Sequence, residues 1–135
     1  MLLQRKEITM EDYFVTIEKK INVTQQDIDD IMATALEGGI TYWCNKATVV
    51  GDYLGEYASE QISRGGTLIL HDAEEDYEYV LNIDNFLEGL QQAIEDHWFA
   101  DYEWCIGNEL DTCNVDAEVA DVIIQLALFG DIIYG

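Results

Sequence analysis

Apolar positions along the chain recur at two periods, and the changes between them divide it into elements. Tyr13, Val15, Ile17 and Ile21 share one face at period two, with Phe14 out of step, which predicts a strand over 13–21. From Thr24 the period lengthens. Ile28, Ile31, Met32, Ala35 and Leu36 follow the i, i+3, i+4, i+7, i+8 spacing of one buried helical stripe. Thr24 can cap the free amides of that helix, Asp27, Asp29 and Asp30 sit early in it, and Gly38-Gly39 ends it, with glycine able to take the left-handed position past the last turn.

The segments 40–44 and 47–50 read as extended, or as one strand broken near Asn45, and Gly51-Asp52 as a turn. Over 52–63, Tyr53, Leu54, Tyr57, Ala58 and Ile62 suit a short helix weakened by Gly55 and ended by Arg64-Gly65-Gly66. Thr67–His71 and Tyr77–Leu81 alternate as two strands of a 67–81 β-hairpin connected by Asp72–Asp76. Asn82 or Asp84 can cap a second long helix, striped by Ile83, Phe86, Leu87, Leu90 and Ile94 and running to about His97. The aromatic segment 98–106 is compatible with a strand or with more helix, and 107–113 reads as a loop. Asn114 or Asp116 opens a last helix lined by Val119, Val122, Ile123, Leu126 and Ala127 and stopped by Gly130. The pattern is α+β: one domain over 1–135, with an antiparallel sheet that includes the 67–81 hairpin, packed with three or four helices.

Charge changes this picture most. The chain carries 28 acidic residues against six Lys and Arg, a net charge of -22, yet 49% of its residues are hydrophobic. That much apolar material can bury a core, so the acidity is not that of a disordered tail. Soluble domains commonly carry a net charge of roughly 2–8 in magnitude, and self-repulsion at this level destabilises the compact state. From Gly65 to Gly135 there are seventeen acids and no Lys or Arg. The densest point is Asp72–Glu78, with five carboxylates in seven residues: Asp72, Glu74, Glu75, Asp76 and Glu78. A second group comprises Glu95, Asp96, Asp101 and Glu103. Asp84 and Asp116 have ordinary helix-capping work; these two groups do not. Solubility and adaptation to high salt are the competing explanations of such acidity.

Other chemistry is sparse. Cys44, His71, His97, Cys105 and Cys113 fit no familiar zinc spacing, and neither acidic stretch has the spacing or turn glycine of a calcium loop. No nucleophile motif or phosphate-binding loop is present, and nearby carboxylate pairs occur by chance among so many acids. The expectation is therefore a non-enzyme without metal or cofactor. No segment approaches the length of a membrane span, and three cysteines make no dense disulfide framework, so the chain reads as cytoplasmic. Direct binding to nucleic acid or anionic lipid needs a basic footprint that is missing. Tyr42, Trp43, Trp98, Phe99, Tyr102 and Trp104 divide between core packing and interface anchoring, with most expected inside. The tail Asp131-Ile-Ile-Tyr-Gly135 either packs back on the domain or supports a symmetric homodimer.

A row of carboxylates on a folded surface can imitate the phosphates of duplex DNA, which present one negative charge per about 1.7 Å of axis. In size and acid runs, and in the phrases Thr34–Cys44, Val49–Tyr57 and Ser63–Gly66, the chain resembles small acidic proteins of phages and prophages of Gram-positive bacteria. That resemblance implies an anti-defence role, anti-CRISPR or anti-restriction, exercised in the bacterial host cytoplasm; no site residue carries over from it. The expected partner is a basic nucleic-acid-binding protein, foremost a CRISPR effector nuclease, whose DNA-contacting surfaces are arginine-rich. The alternative is a phage structural or regulatory protein that associates through segments 98–106 and 131–135, its acidity serving solubility.

Overall fold

Helix α1 (Gln25–Thr34) starts at a reciprocal cap. Thr24 Oγ1 accepts from Asp27 N at 3.1 Å while Asp27 accepts from Thr24 N at 2.9 Å. Ile28, Ile31, Met32 and Ala35 are buried as their spacing predicts. The last turn widens into a π-turn over Ala35–Gly39. Gly39 serves there by lacking a side chain, since a Cβ would lie 2.6 Å from the Ala117 carbonyl oxygen. Close packing against a later helix, rather than a left-handed cap, requires this glycine. The computed structural model describes residues 13, 15, 18, 20–96 and 105–135, with only the backbone at Cys105 and Ile106.

A three-stranded antiparallel sheet follows, in the order β1 (Cys44–Val49), β2 (Leu68–Asp72), β3 (Glu78–Leu81). The expected break near Asn45 is a bulge: Cys44 pairs with Asp72 and Lys46 with His71, leaving Asn45 over. Leu68, Leu70 and Leu81 are fully buried beneath the sheet. The hairpin forms as predicted, with Asp72 closing β2 through its N–H to Tyr77 O at 3.0 Å.

Helix α2 (Ile83–Glu95) has Asn82 as its cap, in reciprocal hydrogen bonds with Asn85. Helix α3 (Ala117–Phe129) is capped by Asp116, which accepts from Val119 N at 2.9 Å, and ends at Gly130, whose φ is 70°. The two helices pack in parallel. A Cβ on Gly89 would lie 2.5 Å from Ala127 N and 2.6 Å from Ile123 O, so glycine lets the backbones touch. One turn on, Gln92 donates to Gly130 O at 3.2 Å. Phe86, Leu90, Ala93, Val119, Ile123 and Ile124 fill the space between helices and sheet. A small ribbon, β4 (Cys105–Ile106) with β5 (Glu109–Leu110), completes the described elements, and Asn22 bridges to Glu109.

Several expectations need correction or restriction. The segment 40–44 is not extended throughout: residues 41–43 form a turn, with Trp43 N and Cys44 N donating to Ile40 O. No helix forms over 52–63; only Ala58–Glu60 makes a 3-10 turn. The backbone donors there are taken by side chains instead: Leu54 N by Gln61, and Glu56 N and Tyr57 N by Glu60. The described residues of 13–21 lie in no strand, and Tyr13 and Val15 are exposed rather than on a buried face. Leu87, assigned to the buried stripe of α2, is exposed. The span 107–113 is not all loop, since it contains β5 and meets a 3-10 turn at Thr112–Asn114. The segment 98–104 and His97 lie outside the described residues.

Candidate acidic interface

The acidic loop is built around Asp72. Its Oδ1 accepts from Glu74 N and Glu75 N, both at 2.8 Å, which fixes the turn out of β2. Its Oδ2 accepts from the Tyr134 hydroxyl at 2.5 Å. These hydrogen bonds, the Tyr134 hydroxyl foremost and then the Glu75 and Glu74 amides, hold the Asp72 carboxyl below the ordinary carboxylate range. Asp72 is thus the half-buried anchor of the loop, with both oxygens engaged. Glu74, Glu75, Asp76 and Glu78 are exposed around it.

Tyr134 reaches Asp72 because the tail folds back onto the protein. Gln125 Oε1 accepts from Ile133 N at 2.8 Å and Tyr134 N at 2.9 Å. The Tyr134 ring stacks on Trp43, centroids 4.8 Å apart and planes 1° from parallel, and its hydroxyl lies 2.8 Å from that of Tyr79. Burial first, then the hydrogen bonds to Asp72 and Tyr79, raise the Tyr134 phenol far above its ordinary value. Phe129 packs edge-on against Tyr79 at 4.9 Å.

Beneath this cluster lies a buried carboxylate. Asp121 is 8% exposed and accepts from Trp43 Nε1 at 2.8 Å, Gln125 Nε2 at 2.9 Å and the Tyr42 hydroxyl at 2.6 Å. Three neutral donors satisfy its two oxygens, as burial of a polar group requires. Desolvation, and then Asp121, push Tyr42 up to about 12. Tyr42 and Trp43 therefore serve this network, Tyr42 from an exposed position and Trp43 from a buried one. A cleft of 160 Å³ opens between Tyr42, Tyr134 and Glu74. It is smaller than the roughly 300–1,000 Å³ of typical small-molecule sites.

Glu95 and Asp96 are exposed at the C-terminal end of α2. Contacts tie that end to the hairpin loop, from Gln92 to Gly130, from Phe129 to Tyr79, and from Tyr134 to Asp72. Glu95 and Asp96 thus lie toward the same end of the fold as the hairpin loop. Asp101 and Glu103, assigned to the second group, lie outside the described residues. Few cations offset these acids. Among the described residues, Arg64 pairs with Asp29 at 3.5 Å, and His71 approaches Glu78 at 3.5 Å, an ion pair only when the histidine is protonated. The fold also returns a cation that sequence distance had hidden, because Lys46 stands opposite His71 across the sheet.

Cys44 is buried and Cys113 exposed, both as free thiols; burial raises the Cys44 thiol. No group of three or more His, Cys, Asp or Glu among the described residues is placed to hold a metal ion. No helix among them is long and apolar enough to cross a membrane.

Comparison with known protein families, with curated proteins and with solved structures returns no match. Of the residues that support the loop, Tyr42 was among the aromatics expected in core or interface and Tyr134 lies in the tail expected to pack back or self-associate, whereas Asp121 and Gln125 were not anticipated. A signal for two of them was available. Asp121 and Gln125 stand four apart inside an otherwise apolar helix, the spacing at which side chains meet.

Proposed function

We propose that the protein is a non-enzymatic inhibitor that offers a DNA-mimicking surface to the nucleic-acid groove of a bacterial defence protein, foremost a CRISPR effector nuclease. The observation that carries this reading is the loop after Asp72. It is held in one conformation by Asp72 while Glu74, Glu75, Asp76 and Glu78 face solvent at its surface. Preorganised carboxylates lose little entropy on binding, and arginines that normally hold phosphates can hold them instead. Glu95 and Asp96 extend the field, and Asp101 and Glu103 belong to the same proposal. The setting this requires is the cytoplasm of a bacterial host, with no direct contact to nucleic acid.

The test uses a purified CRISPR effector nuclease and a restriction enzyme, with binding and nuclease inhibition measured at low and at physiological salt. Affinity should fall on the order of tenfold or more across that range, by the electrostatic argument that governs phosphate contacts. The variant Glu74→Lys/Glu75→Lys/Asp76→Lys should lose inhibition while keeping its melting temperature. Salt-independent binding, or full activity in the charge-reversed variant, would move the assignment to a phage structural or regulatory protein whose acidity serves solubility.

A further inference from the structure

The Val50–Tyr57 loop lies at the far end of the sheet from the acidic loop, since Val49 pairs with Leu68 and Val50 N donates to Thr67 O at 3.1 Å. It displays large apolar side chains: Val50 is 49% exposed, Tyr53 60%, Leu54 49% and Tyr57 61%. Such exposure is unremarkable in a frayed loop. This loop is held firmly. Gln61, only 1% exposed, accepts from Leu54 N at 3.0 Å and donates to Asp52 O at 3.2 Å. Glu60 Oε1 accepts from Glu56 N at 2.6 Å and Tyr57 N at 3.1 Å.

Two glycines make room for these braces. A Cβ on Gly66 would meet Gln61 Nε2 at 2.5 Å, and one on Gly55 would meet Glu60 Oε1 at 2.7 Å. Two long polar side chains and two glycines thus fix a loop whose apolar groups contribute little to the core. Rigid, solvent-facing tyrosines give binding area at low entropic cost, and clustered exposed apolar groups mark interaction sites.

We propose that this loop is a second protein-docking surface, and that its partner presents an amphipathic helix, an apolar stripe edged by lysine or arginine. The edge chemistry follows from Asp52 and Glu56, exposed on either side of Tyr53 and Leu54. Arg64, which runs past Gly55, is turned to Asp29 and Ser63. A second copy of this chain is disfavoured as the occupant, because a -22 charge repels its own kind and the loop repeats that sign. The surface stands apart from the hairpin loop and does not depend on the DNA-mimic reading.

The test titrates the isotope-labelled protein with a short amphipathic helical peptide of leucine and lysine, alongside a control peptide with serine in place of leucine. The amides of Tyr53, Leu54 and Tyr57 should shift with the leucine peptide and not with the control. Tyr53→Ser/Tyr57→Ser should weaken binding about tenfold, the loss of one or two anchoring side chains. Neutralising the hairpin with Glu74→Gln/Glu75→Gln/Asp76→Asn should leave the Tyr53–Tyr57 shifts in place, whatever it does to inhibition. Shifts confined to residues 73–78, equal binding of the two peptides, or unchanged binding by the tyrosine variant would overturn the proposal. So would light scattering showing a dimer that Tyr53→Ser dissociates.

Discussion

The acidic loop after β2 and the aromatic loop after β1 terminate opposite ends of the same sheet, and one device builds both. In each, a single carboxylate oxygen accepts two successive backbone amides: Asp72 Oδ1 those of Glu74 and Glu75, Glu60 Oε1 those of Glu56 and Tyr57. What the loops display is opposite, carboxylates at one end and tyrosines with a leucine at the other. The anchors differ too. Asp72 reaches across to the tail through Tyr134, whereas Glu60 and Gln61 act within their own loop and the turn after it. Acidity here is thus a property of what a loop shows. The carboxylates that brace the two loops serve structure, and counting acids along the chain cannot separate the two uses.

Both loops hang from one frame, so a lesion in the frame should act on both. Gly89→Ala pushes a methyl into the backbone of α3, and the helices must separate; we expect a loss of about 2–3 kcal/mol in denaturant unfolding. Gln61→Leu breaks the symmetry. It leaves the Leu54 amide and Asp52 carbonyl without their partner at a cost of about 1–3 kcal/mol, and speeds amide exchange in 52–57 while sparing 73–78. Tyr134→Phe is the converse. Losing the hydroxyl that holds Asp72 should speed amide exchange in 73–76 and leave exchange in 52–57 unchanged.

Titration sharpens the contrast from another side. The Tyr42 phenol is raised, so its contribution is present below the ordinary tyrosine value and lost as pH climbs through about 12; the absorbance difference between the protein and Tyr42→Phe should place that ionisation above the ordinary tyrosine value. Asp72 and Glu60 are both lowered, so each brace holds above the ordinary carboxylate range and fails as pH falls through its lowered value. Acid should therefore release both loops. The smallest effect concerns Lys46, which stands beside the acidic end. Lys46→Gln should strengthen binding to a basic target by about two- to fivefold if the field matters, measured by titration at low salt.

The helices and the hairpin were legible in the sequence because their signals are local: a capping threonine, stripes at helical period, alternation on either side of an acid run. Asn82, Asp116 and Gly130 mark the boundaries where they stand. The short helix expected over 52–63 failed for a physical reason that was also local. Gln61 and Glu60 offer backbone amides a competing acceptor, and apolar spacing carries no trace of that competition. The acidic site was half legible. Its display residues were evident as a run, whereas Asp72 as anchor and Tyr134 as its partner depend on a contact spanning 62 residues. Lys46 entered the neighbourhood only through strand pairing.

The parallel packing of α2 and α3 through Gly89 has an electrostatic consequence beyond the side chains. Parallel helices add their backbone dipoles, and both C-terminal ends are directed toward the acidic end of the fold, with no basic residue in either last turn. Each such terminus behaves as roughly half a negative charge. Removing every loop carboxylate would thus leave a residual negative pole written into the main chain, beyond the reach of any side-chain substitution.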